Sequence, residues 1–256
     1  MKKLLYFSLI AGLVLSFFPL GACSGSDSDN GGGGSAGGGG SAPVVNGKRL
    51  VKIVEDGSND SIVFVYNSKG QIIKVRNCSL SVQREHYYSY TDSMISSSIE
   101  GDCWLENGRV VRDVWSAYER NYEYDGAGQL TTIKSFFTSS SDTAGSINIT
   151  WQNGNITKIG TTTYAYTSHP NTLPWLVSLR DGNVSKEKFM YNNFWSQGYF
   201  GRVCQNLPAE RTDSYTESGR TRTYTTTYDY TFTNGVVTKL VVSNEGYTQI
   251  FYLTWE

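Results

Sequence analysis

The side chains that could support catalysis are few and scattered along the chain. Two pairs of acids, Glu100 with Asp102 and Glu119 with Glu123, offer carboxylates of the kind that a glycoside hydrolase places roughly 5 to 10 Å apart. We interpret both pairs as solvated acids of strands and loops, because any domain of this length contains such pairs. The sequence therefore predicts no catalytic residues.

The two histidines do not have the surroundings of a catalytic base. His86 lies in REHYYSY and His169 in SHPNTLP, and neither segment contains a GxSxG or Cys-His pattern. Zinc-spaced clusters, calcium loops and phosphate loops are also missing, apart from a trivial match in the Gly-rich run 31–42. We therefore predict a protein that is not an enzyme and that has no metal and no cofactor.

Aromatic segments give the clearest indication of a ligand. Residues 86–90, 171–176 and 192–200 are rich in aromatic residues, and prolines and glycines near them favour excursions from regular strands. Flat apolar rings with polar edges suit sugar rings or an acyl chain. The alternative is that these rings plug a barrel or cover a sheet edge. The predicted ligand-binding residues are Trp175, Phe194, Trp195, Tyr199 and Phe200.

A hairpin motif recurs along the chain. YEYDGAGQLTTI at 122–133 and FVYNSKGQIIKV at 64–75 share two aromatics, an Asp or Asn that begins a turn, a Gly three residues later and two aliphatics. A shorter form contains Asn-Gly or Asp-Gly, which favour the two positive φ angles of a type I′ turn. It occurs at 105–111, 151–159, 179–185 and 231–240. These six segments predict six hairpins.

Composition and alternation predict how these hairpins assemble. Aromatic residues make up 14% of the chain, and the segment 222–233 alternates aromatic and polar residues as a strand with one wet face does. Leu130 and Ile133 are an odd number apart, so the returning strand is either bulged or partly covered on both faces. We predict an all-β, antiparallel meander of long hairpins that forms a curved, barrel-like sheet, open or closed.

The remaining cysteine and hydroxyl residues carry two further hypotheses. Cys78 and Cys103 could form a disulfide that leaves Cys204 over, or all three could be buried thiols. Three short Asp-Ser/Thr-aliphatic sequences resemble the O-glycosylation signal of one group of gut bacteria. They indicate Ser61, Ser93 and Thr143 as candidate glycosylation sites.

The N-terminus has the order of a secretory signal: basic residues, an apolar run and small residues within 1–22. Leu20-Gly21-Ala22-Cys23 resembles the lipobox of bacterial lipoproteins, which implies that Cys23 is lipidated. Residues 23–43 are then a flexible Gly/Ser spacer, and 44–256 a single hairpin-rich domain. The net charge of −1 gives no indication of a nucleic-acid partner.

The whole arrangement resembles a family of lipoproteins from gut bacteria, catalogued as a domain of unknown function with a porin-like fold. The resemblance includes the spacer, a first strand like KRLVKIVED, hairpins like tyrosine-aspartate repeats and the segment GYFGRVCQNLP. It implies an outer-membrane lipoprotein that contacts the membrane through its lipid only. The serine-and-aspartate run 24–30 resembles a surface-export tag, which implies exposure at the cell exterior, with the periplasmic face as the alternative.

The predicted function is a non-enzymatic binding or accessory module for a glycan, lipid or protein ligand. This prediction follows from the anchor, the spacer and the lack of a catalytic constellation. A structural or adhesion protein without a ligand pocket is the main alternative, and a surface glycoside hydrolase is the remote one.

Overall fold

Sixteen antiparallel strands form the barrel wall of the computed structural model, which describes residues 40–58, 60–78, 83–115, 118–140, 143–177, 192–217 and 219–256. Consecutive strands are neighbours throughout, and β1 pairs with β16 to close the barrel. The predicted all-β meander is confirmed, and the sheet is closed. The strands are β1 (Leu50–Glu55), β2 (Ser61–Tyr66), β3 (Ile72–Cys78), β4 (Gln83–Tyr90), β5 (Met94–Ser97), β6 (Gly101–Glu106), β7 (Arg109–Trp115), β8 (Tyr118–Tyr124), β9 (Leu130–Phe137), β10 (Thr143–Gln152), β11 (Asn155–Ile159), β12 (Thr162–Pro170), β13 (Asn206–Glu217), β14 (Arg220–Thr233), β15 (Val236–Asn244) and β16 (Tyr247–Trp255).

Turn residues determine where the strands reverse. Asn107, Asn153 and Asn234 have φ values of 51°, 50° and 52°, and the glycine after each is also left-handed, as a type I′ turn requires. Five of the six predicted hairpins are present, as β2–β3, β6–β7, β8–β9, β10–β11 and β14–β15. The sixth, at 179–185, lies outside the described residues.

A bulge near the start of seven of the eight odd-numbered strands, all but β5, explains the odd spacing of the buried aliphatics. In β9, Tyr124 pairs with Leu130 and Glu123 with Thr132, so Thr131 is the extra residue. Leu130 and Ile133 consequently both point inward and are 0% and 3% exposed. The bulged alternative of the sequence analysis is therefore the one observed. The same register shift occurs in β1, β3, β7, β11, β13 and β15.

Aromatic side chains connect seven of the eight even-numbered strands, all but β6, to the strand before them. The Tyr66 hydroxyl donates a hydrogen bond to the Leu50 carbonyl at 2.6 Å, and the Trp255 indole donates to the Val237 carbonyl at 2.7 Å. These bonds satisfy carbonyls next to the bulges and hold neighbouring hairpins in register. The same contact joins Tyr90 to Ile72, Tyr124 to Val110, Trp151 to Leu130, Tyr166 to Ile156 and Tyr230 to Pro208.

Residues 171–177 and 192–205, which we call the plug, fill one end of the barrel. The plug contains a 3-10 helix, Pro174–Leu176, and a short α-helix, α1 (Asn193–Ser196). Its backbone bonds directly to hairpin turns: the Tyr199 carbonyl accepts from Val110 N at 2.8 Å, and Arg202 N donates to the Gly128 carbonyl at 3.2 Å. The plug and the inward side chains form one apolar core.

The two ends of the barrel therefore differ. The end that holds the plug and the Asn-Gly turns is called the plugged end, and the opposite end, with the β11–β12, β13–β14 and β15–β16 turns, the far end. The described chain enters at the plugged end, where Gly40 N donates to the Gln197 carbonyl at 3.2 Å and Ala42 N to the Gly70 carbonyl at 2.9 Å. The described residues include no helix that is long and apolar enough to cross a membrane.

Candidate functional site

The five aromatic residues predicted to bind a ligand all lie in the plug. Their exposed fractions range from 1% for Trp175 to 8% for Phe200. Trp175 packs against Phe64 of the wall with ring centroids 5.5 Å apart, and its indole donates to Asn193 Oδ1 at 3.0 Å. This arrangement is the plug that the sequence analysis kept as its alternative, and the hypothesis that these rings hold a ligand stays a prediction.

The acid pairs considered for hydrolysis are not brought together around a cleft. Glu100 is 3% exposed inside the barrel, whereas Asp102 lies on the outer face of β6. Glu119 and Glu123 both point outward, four residues apart on β8, which is roughly 13 Å at strand rise. They form ion pairs with Arg112, at 3.1 Å, and with Lys134, respectively.

The histidines and Cys204 are packed or partly buried and do not have the surroundings of catalytic groups. His169 packs against Phe232 with centroids 4.6 Å apart, and burial, followed by the charge of Arg84, lowers the pKa of His86. Burial also raises the pKa of the Cys204 thiol to about 11, which makes it a poor nucleophile at neutral pH. Among the described residues, no group of His, Cys, Asp and Glu could hold a metal ion.

Cys78 and Cys103 are not joined by a disulfide bond, so the Cys78–Cys103 bridge considered in the sequence analysis is wrong. Cys78 ends β3 and Cys103 lies in β6, and three strand spacings amount to roughly 14 Å, beyond the reach of a disulfide.

The modification sites predicted from the sequence lie in different surroundings. Ser93 is exposed in the β4–β5 turn, Ser61 is partly buried at the start of β2, and Thr143 begins β10. Glycosylation at all three stays a prediction. Cys23, the predicted lipidation site, lies outside the described residues.

A cavity of about 630 Å³ opens inside the far end of the barrel. Residues of β12, β13 and β14 and of the β11–β12 and β15–β16 turns form its wall. Hydroxyl, carboxylate, guanidinium and amide groups predominate there, and a pair of tyrosines supplies the aromatic surface. The lining residues are Thr161, Thr162, Arg211, Asp213, Ser214, Tyr215, Tyr224, Thr226, Asn244 and Glu245.

A buried ion pair forms the polar centre of this cavity. Arg211 donates to Asp213 Oδ1 from Nη2 at 2.6 Å and from Nε at 3.0 Å, and the Thr162 hydroxyl donates to the same oxygen at 2.7 Å. The Arg211 side chain is 6% exposed and that of Asp213 is 26% exposed. Burial alone would lower the pKa of Arg211, but Tyr164 and Asp213 outweigh it and raise that pKa. The guanidinium is therefore charged at any physiological pH.

Two stacked tyrosines lie beside the ion pair, toward the rim. The Tyr215 and Tyr224 rings are 5.4 Å apart with only 5° between their planes, and their hydroxyls are 2.7 Å apart. They are 42% and 39% exposed, so a ligand can reach them. The nearby hydroxyls of Tyr224 and Tyr215 raise the pKa of the Arg222 guanidinium.

One hydroxyl deeper in the barrel has no protein partner. Tyr228 lies one inward position below the cavity residue Thr226 and is 3% exposed, yet its hydroxyl makes no hydrogen bond to the described protein. Burial and the nearby Tyr164 raise its pKa, so it stays protonated and able to donate. A buried hydroxyl of this kind favours a water molecule or a polar ligand group next to it.

None of these cavity residues was predicted as a binding residue from the sequence, although the hairpin repeat contains a signal for them. The first inward residue after the bulge is aliphatic in five strands, as at Ile133 of β9. It is Arg211 in β13 and Asp113 in β7, which are 5% and 1% exposed. A charged residue at a position that the repeat otherwise fills with aliphatics therefore indicates a specialised part of the wall. Finding it requires knowledge of the bulges, because they determine which residues point inward.

No family model matches this chain, and no curated protein matches it. Its fold is similar to two solved structures. One is a porin-like protein from Bacteroides uniformis, 19% identical, with a TM-score of 0.54, covering 81% of this chain and 96% of that chain. The other is a porin-like protein from Bacteroides vulgatus, 13% identical, with a TM-score of 0.54. The match covers 81% of this chain and 98% of that chain. The chain thus has the barrel fold of these porin-like proteins.

Proposed function

We propose that this protein is a lipid-anchored, non-enzymatic carbohydrate-binding barrel of the bacterial outer membrane, exposed at the cell exterior. The observation that carries this proposal is the far-end cavity, in which Arg211 and Asp213 lie beside the Tyr215–Tyr224 stack. Sugars present hydroxyls that donate and accept hydrogen bonds, and they present flat C–H faces. The ion pair and the threonines complement the hydroxyls, and the tyrosine rings complement the faces.

The cavity favours a carbohydrate over a fatty acyl ligand. An acyl site needs a continuous apolar lining, whereas here most lining residues end in a hydroxyl, amide or charged group. The large apolar side chains of the barrel interior instead pack within the core, at the plug and in the inner layer of the wall.

The outer wall supports a barrel that is attached to the membrane rather than embedded in it. Charged pairs lie on the outward faces of the strands, among them Lys74 with Glu85 at 3.3 Å and Arg112 with Glu119 at 3.1 Å. Charged side chains on a lipid-facing strand surface cost several kcal/mol near the bilayer centre. A lipid at Cys23 would supply the membrane attachment that such a wall does not.

The position of the tether supports a ligand-accessible cavity. Residues 40–42 bond to the plug and to the Gly70 turn, so the spacer joins the barrel at its plugged end. A lipid at Cys23 would then be connected to the barrel through this end and would leave the cavity end without a tether.

The test measures binding of the mature chain to an array of neutral and acidic glycans, followed by calorimetric titration of the glycans that bind. Replacing Tyr215 or Tyr224 by alanine removes a ring contact, and we expect affinity to fall about three- to tenfold. The matched control is Tyr252→Ala, which removes a tyrosine of similar exposure from the outer wall and should leave affinity unchanged.

Three results would contradict the proposal. Failure of every glycan to bind would favour the structural or adhesion alternative, and a fatty acid that binds at the same site would replace the ligand class. Asp213 and Glu245 are the two carboxylates of the lining, so the same titrations should be followed for product release. Turnover of any glycan that Asp213→Asn abolishes would make the protein a hydrolase.

A further inference from the structure

We infer that the barrel wall carries a second carbohydrate-contacting surface on β7, β8 and β9, so that the ligand is an oligosaccharide held at two points. This inference rests on the proposed function and deepens it. The surface consists of Asp113, Arg120 and Tyr122 together with the rim residues Tyr118 and Phe137, and we call it the second wall site.

The polar part of the second wall site is a buried, fully oriented ion pair. Arg120 donates to Asp113 from Nε at 2.9 Å and from Nη2 at 2.6 Å, and the Tyr122 hydroxyl donates to Asp113 Oδ2 at 2.8 Å. The Asp113 side chain is 1% exposed, whereas that of Arg120 is 18% exposed. The guanidinium edge therefore remains accessible from inside the barrel, with its charge fixed in place.

The aromatic part lies one inward position closer to the far end. Tyr118 and Phe137 are cross-strand partners, and their ring centroids are 5.4 Å apart with an angle of 38° between the planes. They are 41% and 39% exposed, which is unusual for large rings on an inward face. Apolar rings that stay exposed at a barrel rim favour a ligand surface over a packing role.

The second wall site repeats the composition of the far-end cavity. In each place a charged residue replaces an aliphatic at the first inward position after a bulge, and it pairs with an opposite charge. In each place two aromatic rings 5.4 Å apart lie beside the ion pair, toward the rim. The described parts of the other hairpins have an aliphatic at that inward position, so the combination is not a general property of the repeat.

The spacing of the two surfaces determines the size of the ligand. β8 and β14 are six strands apart, and six strand spacings amount to roughly 29 Å along the wall. A monosaccharide cannot touch both surfaces, whereas an extended oligosaccharide can. Once an oligosaccharide is bound in the far-end cavity, its contact with the second wall site is intramolecular. This second contact raises the affinity without any change at the cavity.

The experiment measures the dissociation constants of malto-, cello- and xylo-oligosaccharides of one to eight units for the mature chain. We expect affinity to rise at least tenfold between the disaccharide and the hexasaccharide of the series that binds. The double variant Tyr118→Ala/Phe137→Ala should lose this gain and keep the disaccharide affinity. Both rings are exposed at the rim, so the fold should persist, which melting temperature and circular dichroism verify.

A double variant of outward tyrosines, Tyr87→Ala/Tyr252→Ala, is the matched control and should keep the full gain. Equal length dependence in the wild type and in Tyr118→Ala/Phe137→Ala would overturn the second wall site but not the proposed function. An affinity that does not depend on the length of the oligosaccharide would also overturn the second wall site but not the proposed function. Failure of all three series to bind would count against both proposals.

Discussion

Asp125 and Asn67 occupy the same turn position in two hairpins and make the same contacts. Asp125 Oδ1 accepts hydrogen bonds from Ala127 N and Gln129 N, both at 2.9 Å. Asn67 Oδ1 accepts the two equivalent bonds at 3.0 Å. An uncharged amide thus replaces the carboxylate without any change of role, which identifies Asp125 as a turn residue.

This equivalence gives a test at the scale of one side chain. Asp125→Ala leaves two turn N–H groups without their acceptor, and we expect the free energy of unfolding to fall by about 1 to 2 kcal/mol. Asp125→Asn keeps the acceptor, as Asn67 does, and should change it by less than about 0.5 kcal/mol. Chemical denaturation measures both values. An equal loss in the two variants would show that the negative charge matters instead.

Residues such as Asp125 could be predicted from the sequence because their bonds are local. Arg211 and Asp213 could not, since their role depends on Thr162 and Tyr224, which come from other strands and meet them only in the barrel. The aromatic residues of the plug were predicted to bind a ligand because of their composition alone. Composition does not distinguish a ring that binds a ligand from one that fills a core.

At the scale of elements, most hairpins combine a turn, a bulge and an aromatic bond to a neighbour. The turn chemistry was predictable because Asn-Gly and Asp-x-x-Gly favour specific φ values. The sequence left open whether the strands were bulged, because Leu130 and Ile133 fit two arrangements. Pairing with the adjacent strand decides between them, and that pairing is not a local property.

The contact between plug and turn predicts a strong effect at one glycine. A Cβ on Gly201, where φ is 85°, would lie 2.4 Å from the Gly128 carbonyl oxygen. Gly219 has a similar φ of 76° but no atom within 4 Å of such a Cβ. We expect Gly219→Ala to cost about 1 to 2 kcal/mol for backbone conformation alone, and Gly201→Ala about 1 to 3 kcal/mol more for the steric clash.

Thermal unfolding of the two variants, compared with the unsubstituted chain, measures that difference. Equal losses would show that the plug can move away from the β8–β9 turn at no cost.

At the scale of the whole molecule, buried tyrosines make the barrel sensitive to alkali. Burial raises the pKa of Tyr66, Tyr90, Tyr124 and Tyr166 well above their ordinary range. The folded state therefore holds these protons more tightly than the unfolded chain, whose tyrosines titrate near a pKa of about 10. Their contribution to stability is complete below that pH and is lost as pH rises above it.

Tyrosinate absorbance and circular dichroism, followed together from pH 8 to 13, test this prediction. Ionisation of solvent-exposed phenols should come first, without loss of structure. The buried ones should ionise in a second, cooperative step that coincides with unfolding. A single transition near pH 10 with unchanged circular dichroism would contradict it.

The closure of the barrel was the part of the fold that lay beyond the sequence pattern. Repeated hairpins can extend as an open sheet or close on themselves. Closure depends on pairing between β1 and β16, the two ends of the meander. A short-range hairpin motif predicts the order of neighbouring strands and the position of each turn. It contains no information about a contact between the first and the last strand.

The plug also limits how the barrel can change in evolution. Its backbone bonds to the β6–β7, β8–β9 and β10–β11 hairpins through Tyr199, Arg202 and Gln205, one after another along the circumference. The plug therefore fits only a barrel in which these three hairpins follow one another at this spacing. A duplication that inserted one more hairpin would increase the barrel diameter. It would also move the hairpin partners of Tyr199, Arg202 or Gln205 by two strands along the circumference. Gain or loss of a repeat unit therefore requires a matching change in residues 192–205, so the strand number and the plug must be inherited together.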